Sequence, residues 1–149
     1  MGKQKNTKIV VIGCGRLGSA IAGTLSEKGA MVTVVDKSAD SFRRLPQSFG
    51  GMTQAANATD MHIANALPID ADTTVFCLTS NENLNIMIAQ MVRYLFVGAR
   101  VVARLQDSGK VCLFEGQGIE VVCPSEIMQR EIYTNYVNMP MGEVQDGEW

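Results

Sequence analysis

The sequence has no Cys-x-x-Cys pair, one histidine, and no excess of positive charge. Its four cysteines stand at 14, 77, 112 and 123, without a histidine beside them. A zinc site needs ligands at short spacing, and a disulfide framework belongs mostly to small secreted chains, so neither is expected. Lys plus Arg number 13 against 15 for Asp plus Glu, a net charge of −2. That balance lacks the basic footprint of a nucleic-acid binder, and no nucleic-acid partner is expected. Charges interrupt every long apolar stretch, so no segment reads as a membrane span. Lys3, Lys5 and Lys8 precede only the short apolar run Ile9–Ile12, which is too brief for the core of a signal peptide. A cytoplasmic location is the expectation. Repeats and low-complexity linkers are absent as well.

What is present is ordinary globular material: 149 residues, 46% hydrophobic and 19% charged. That length fits one domain of ~100–150 residues. Short β-branched runs alternate with amphipathic helical patterns. Strands are expected at Lys8–Ile12, Met31–Val35, Met52–Ala56, Thr74–Leu78, Arg100–Arg104 and Glu120–Cys123. Helices are expected at Arg16–Lys28, Ser38–Leu45, Asp60–Ala66, Glu82–Phe96, around Ser108–Glu115 and at Ser125–Val137. In the longest helix Leu84, Met87, Ile88, Met91, Val92 and Leu95 form the inward stripe, which leaves Ile86 and Ala89 off it. Strands separated by helices pair in parallel through right-handed crossovers. The expected fold is therefore α/β: a Rossmann-like doubly wound parallel sheet in order 3-2-1-4-5-6, with a further helix after the last strand. The domain is expected to span 7–137, between a short tail at 1–6 and a frayed tail at 138–149.

Ligands on such sheets bind at the carboxyl ends of the strands, where the strand order reverses between the first and fourth strands. Gly13-Cys14-Gly15-Arg16-Leu17-Gly18 is a G-x-G-x-x-G motif at that place, following a strand and opening a helix. The first glycine makes the turn, the second lets the backbone approach a phosphate, and the third lets helix and strand pack. The helix N-terminus offers unpaired N–H groups to the same phosphate. Asp36 ends the second strand 23 residues beyond Gly13, where an acid accepts hydrogen bonds from ribose hydroxyls. Its charge disfavours NADP relative to NAD or a simple adenine nucleotide, while Lys37, Arg43 and Arg44 soften that preference. The other reading of Asp36 is a capping acid. Asn57-Ala58-Thr59-Asp60 and Leu78-Thr79-Ser80-Asn81 are small, polar segments at two further strand ends. They suit either an adenosine pocket or plain caps and turns.

Other candidates read more simply. His62 has no acid–nucleophile pattern around it and is expected at the surface or as a cap. Neither Tyr133 nor Tyr136 has a lysine four residues on, so the Tyr-x-x-x-Lys pair of short-chain dehydrogenases is absent. Cys77, Cys112 and Cys123 lie in apolar runs and are expected to be buried small hydrophobes. Cys14 lies in the glycine loop, where a helix N-terminus would favour its thiolate and a redox role.

Taken together, Ile12–Gly18, Val34-Val35-Asp36-Lys37, Ala56–Asp60, Thr74–Asn81, Val101–Arg104 and Gly118–Pro124 resemble the RCK domain, the TrkA N-terminal domain family. These are cytoplasmic regulators of potassium channels and transporters. The resemblance implies a sensor that binds NAD(H) or an adenine nucleotide (AMP, ADP or ATP). It also implies a homodimer or larger ring held beneath a membrane-embedded potassium transporter or channel subunit. By the same resemblance Gly13, Gly15 and Gly18 line the phosphates and Asp36 the ribose. Asn57, Ala58 and Thr59 lie near the adenine, and Thr79 and Asn81 near the second ribose or phosphates. Arg16 reaches phosphates, in some members those on the partner subunit; its other reading is a solvated surface side chain. Cys14, Leu17, Lys37 and Leu78 belong to the same candidate cofactor-binding segments. The last helix crosses to the other subunit. One departure is Asn57, where many members carry Asp. Family members also carry a second C-terminal lobe, for which this length leaves no room.

Two other readings compete with the sensor. One is a small NAD-dependent oxidoreductase, or the cofactor-binding half of one. It needs an acid–base group near the nicotinamide and a second-substrate pocket. The other is a redox sensor built on Cys14.

Overall fold

The computed structural model describes residues 7–137, so the expectations for 1–6 and 138–149 lie outside the described residues. Six strands form one sheet: β1 Lys8–Ile12, β2 Met31–Asp36, β3 Met52–Ala55, β4 Thr73–Cys77, β5 Arg100–Arg104 and β6 Ile119–Val122. All are parallel, in the order β3-β2-β1-β4-β5-β6. The expected order 3-2-1-4-5-6 is the observed one. In β1 Ile9, Val10, Val11 and Ile12 are all buried. A central strand covered on both faces needs such an unbroken apolar run, since neither set of alternating side chains meets water.

Among the described residues five α-helices accompany the sheet: α1 Arg16–Glu27, α2 Met61–Asn65, α3 Glu82–Leu95, α4 Val111–Glu115 and α5 Pro124–Tyr136. One core layer packs Val10, Ile12, Val75, Val101 and Ile119 against Ile88, Ala89 and Val92 of α3. The other packs Ile9, Val11, Val32 and Val34 against Ala22, Leu17 and Ile21 of α1. No residue of α5 is buried, and its Ile127, Met128, Ile132 and Tyr136 are all exposed.

Four expectations need correction. Ser38–Leu45 is a 3-10 helix at Ala39–Arg44, because Pro46 forces Leu45 into extended backbone (φ −67°, ψ 139°) before an α-helix can propagate. Ser108–Glu115 splits into a 3-10 turn at Ser108–Lys110 and α4; the Asp107 carboxylate accepts from Gly109 N–H and holds the first part tight. The buried stripe of α3 is Asn85, Ile88, Ala89 and Val92, so Ala89 faces inward and Met87, 44% exposed, faces out. A polar residue at the centre of the stripe disguised its axis. Finally, Cys112 is exposed on α4, whereas Cys77 and Cys123 are buried as expected.

Candidate functional site

At the carboxyl end of the sheet, between β1 and β4, lies a cavity of about 440 Å³. That is the size class of a small-ligand site. The sheet makes it. Because the strand order reverses there, the chain leaves β1 and β4 toward opposite faces, and a cleft opens between the two exits.

The β1 side is built from backbone. Gly13 adopts φ +102°, and its N–H donates to Val35 O at 2.8 Å, which ties the turn to β2. A Cβ on Gly13 would stand 2.7 Å from Thr79 N, and one on Gly18 would stand 1.8 Å from Gly13 O. Both positions are filled by neighbouring backbone. Gly15 differs: a Cβ there meets nothing within 4 Å. Gly15 lines the cavity at the start of α1, whose first N–H groups have no side-chain cap. An anion is favoured at such an end by unpaired donors and the helix dipole.

Asp36 stands beside this turn at the end of β2. Its Oδ2 accepts from Cys14 N–H at 2.9 Å and its Oδ1 from Ser38 N–H at 2.8 Å. Each oxygen keeps lone pairs for further donors. The capping reading and the ligand reading are compatible, since Asp36 fixes two loop amides and also lines the cavity. Lys37 and Arg44 line it too and have no ion-pair partner among the described residues, whereas Arg43 turns to Asp40 at 3.6 Å.

The remaining walls come from Ala56–Thr59 and from Thr79–Asn81 with Leu84 and Ile88 of α3. Asn57 Oδ1 accepts from Thr59 N–H at 3.1 Å and from its hydroxyl at 2.6 Å, which closes the loop on itself. Asp60 then caps α2 through His62 N–H and Ile63 N–H. His62 itself is exposed and outside the cavity lining. Asn81 Oδ1 caps α3 through Asn83 N–H and Leu84 N–H, leaving the amide nitrogen of Asn81 for other partners.

The structure thus gathers Gly13, Gly15, Asp36, Lys37, Asn57, Ala58, Thr59, Thr79 and Asn81 around one cavity. Cys14, Arg16, Leu17, Gly18 and Leu78 are outside its lining. Leu78 and Cys14 are buried in the α1 layer with Leu17 against it, Gly18 packs on Gly13, and Arg16 is exposed on α1. Ser41, Leu84 and Ile88 line the cavity and were missed. Ser41 lies in the 3-10 helix after β2, and the other two read as plain helix-stripe residues.

At Cys14 the structure weighs against the redox alternative. Its thiol is fully buried and donates to Ser41 O at 3.3 Å. Burial pushes the thiol up from its ordinary value, the Asp36 charge pushes the same way, and Arg44 opposes weakly. A buried thiol beside a carboxylate is held protonated, the opposite of a redox-sensing thiolate.

Residues 9–124 match the TrkA-N domain. The chain belongs to the TrkA-N domain family. It is 35% identical over 114 residues to the Trk system potassium uptake protein TrkA of Streptomyces coelicolor, covering 76% of this chain and 51% of that one. The chain spans about half the length of the curated relatives it matches. Among solved structures it is similar to the NAD(P)-binding domain of an exopolyphosphatase-related protein from Archaeoglobus fulgidus. That match has TM-score 0.74 and 22% identity, over 88% of this chain and 98% of that one. It is also similar to the GsuK channel bound to NAD, with TM-score 0.71 and 18% identity over 89% of this chain and 24% of that one. The ADP-bound form of GsuK gives TM-score 0.70 at 18% identity, over 89% and 35%. At these identities the TrkA-N domain shares its fold with the solved structures. No helix among the described residues is long and apolar enough to cross a membrane.

Proposed function

We propose that this TrkA-N domain is the nucleotide-sensing part of a potassium uptake or channel system and carries out no reaction itself. The observation that carries the reading is the pairing of Gly15 with Asp36. A backbone-only phosphate approach and a ribose-binding carboxylate flank one cavity at the strand-order switch. That arrangement suits NAD(H) or an adenine mononucleotide, with the phosphates at Gly13 and Gly15 and the ribose at Asp36. The adenine then lies against Asn57, Ala58 and Thr59. The similarity to GsuK in its NAD-bound and ADP-bound forms supports the ligand class, and the Streptomyces coelicolor relative supports the potassium role.

The walls also argue against turnover. The titratable side chains that line the cavity are Asp36, Lys37 and Arg44, all on the β2 side. Thr79, Ser80, Asn81, Leu84 and Ile88 form the opposite wall and offer hydroxyls, amides and hydrocarbon, with no group that exchanges protons near neutral pH. Binding without chemistry is what a sensor needs.

The sensor acts through assembly. Ile127, Met128, Ile132 and Tyr136 are 57%, 64%, 50% and 81% exposed along α5, an apolar face that none of the described residues covers. A second copy of the domain covers it, giving a homodimer or ring on the cytoplasmic side of a membrane-embedded potassium transporter or channel subunit.

Thermal denaturation with AMP, ADP, ATP, NAD and NADP, alongside an assay for nicotinamide oxidation or reduction, tests the reading. Ligand at ~100 times its dissociation constant adds about 2.7 kcal/mol of stability. The expected result is a raised melting temperature without turnover, with NAD ahead of NADP because Asp36 repels a 2′-phosphate. Hydride transfer with a small substrate would replace the sensor by an oxidoreductase. Light scattering that shows only monomer at high concentration would remove the dimer.

A further inference from the structure

One fully buried polar side chain has no part in the site described so far. Asn85, on the first turns of α3, is 0% exposed. Its amide uses both of its ends. Oδ1 accepts from Thr79 N–H at 2.9 Å and from the Thr79 hydroxyl at 2.6 Å. Nδ2 donates to Thr79 O at 3.0 Å and to Arg104 O at 2.9 Å. Thr79 is the first residue of the cavity wall after β4, and Arg104 ends the neighbouring strand β5.

This pattern needs a double acceptor and a double donor on adjacent atoms. An amide has both, while a carboxylate lacks the donors and a hydroxyl lacks the reach. A leucine of similar size would leave Thr79 N–H, Thr79 O and Arg104 O buried and unpaired. The grip also extends past Thr79. The space above Gly13 is closed by Thr79 N and Thr79 Cα, which would stand 2.7 and 2.9 Å from a Cβ there. Whatever holds the Thr79 backbone therefore also holds the glycine turn from behind. Among the described residues, Asn85 is the only side chain that accepts a hydrogen bond from the Thr79 amide.

We propose that Asn85 is a positioning residue for the nucleotide. Without touching the ligand, it sets the distance between the two cavity walls by anchoring Thr79 to the end of β5. This rests on the nucleotide reading of the cavity. Loss of the anchor lets the Thr79–Asn81 wall and the Gly13 turn drift, and ligand affinity falls although the fold persists.

Titration calorimetry with NAD, well below the melting temperature, tests it on the wild type, Asn85→Ala and Asn85→Asp. Val101→Ala serves as a stability control, since Val101 is buried in the first half of β5, away from the cavity. Asn85→Ala leaves room for water on the freed groups, and it decides the case alone if Asn85→Asp does not fold. The expected result is a loss of about tenfold or more for both Asn85 variants, the size of one or two lost hydrogen bonds, with Val101→Ala binding as the wild type does. Asn85→Asp adds a second readout. A buried carboxyl stays protonated to higher pH, and its protonated form regains one donor. Its NAD affinity should therefore recover as pH falls, relative to the wild type at the same pH. Binding by the Asn85 variants within twofold of the wild type overturns the proposal, as does an equal loss in Val101→Ala. A wild type that binds none of NAD, ADP and AMP overturns the nucleotide reading and this inference with it.

Discussion

The two turns that flank the cavity are built from opposite materials. After β1 the chain turns on glycines, and the backbone does the work: a left-handed residue at 13, open space at 15, a contact too close for a side chain at 18. After β4 the chain turns on amides and a hydroxyl. Asn81 caps α3, Asn85 anchors Thr79, and Thr79 closes on both. Backbone turns are strict about residue type and leave a legible pattern. Side-chain turns can be made in many ways and leave a faint one.

The sharpest way to break this contrast is Gly18→Ala. Its Cβ would lie 1.8 Å from a main-chain oxygen, so helix and turn must separate. We expect a loss of about 3 kcal/mol or more, the upper range for single substitutions, read by denaturant unfolding. A near-neutral result would mean that the turn is soft and the comparison wrong.

Next comes Asp36→Ala, which joins stability to ligand. Cys14 N–H and Ser38 N–H lose their acceptor, which costs about 1 kcal/mol, mostly at the part-buried Cys14 amide, since the exposed Ser38 amide can turn to water. NAD affinity should fall by about tenfold as the ribose contacts go. Stability loss with unchanged affinity would leave Asp36 as a cap alone.

On the amide side, Glu82 belongs to the same turn of α3 as Asn85. It accepts from Gln106 N–H at 3.0 Å, Asp107 N–H at 3.2 Å and Lys110 Nζ at 2.7 Å. The Lys110 hydrogen bond, then those two amides, hold its carboxyl below the ordinary 4.5. Asp70 beside Lys8 and Glu120 beside Arg100 are lowered likewise. A carboxyl depressed in the fold binds its proton more readily when unfolded. Its stabilisation is therefore complete above the unfolded value and is lost as pH falls through the folded one. Stability measured from pH 6 down to pH 3 should decline, and Glu82→Gln should make that decline shallower. An unchanged acid slope in the variant would show that Glu82 is not held as described.

The smallest effect concerns the thiols. Cys14 and Cys77 are buried and their thiols are pushed up, Cys77 to about 12. Cys112 is exposed. Labelling with a thiol reagent in native buffer should modify Cys112 first and leave Cys14 intact until unfolding. Early reaction at Cys14 would restore the redox reading.

These cases show where the sequence was readable. The strand order followed from six alternating runs, and the glycine turn and Asp36 followed from spacing, because each depends on local rules. Asn85 was invisible because a polar residue in a helix reads as surface, and its partners lie 6 and 19 residues away in sequence. The axis of α3 was misjudged for the same reason. At Cys14 the position at a helix start kept a thiolate reading open, and the burial of the thiol against Ser41 O weighs against it. Tertiary partners settled each of these, and no local pattern announces them.

The proposed site requires phosphates to rest on the open backbone at Gly15. Gly15→Thr tests it most directly. Nothing lies within 4 Å of a Cβ there, and threonine is a good residue at the start of a helix, so the fold should melt as the wild type does. The added side chain fills the space the phosphates need. Calorimetry with NAD should show affinity lower by about a hundredfold, or about 2.7 kcal/mol. A Gly15→Thr protein that binds NAD as tightly as the wild type would show that the phosphates do not rest at Gly15.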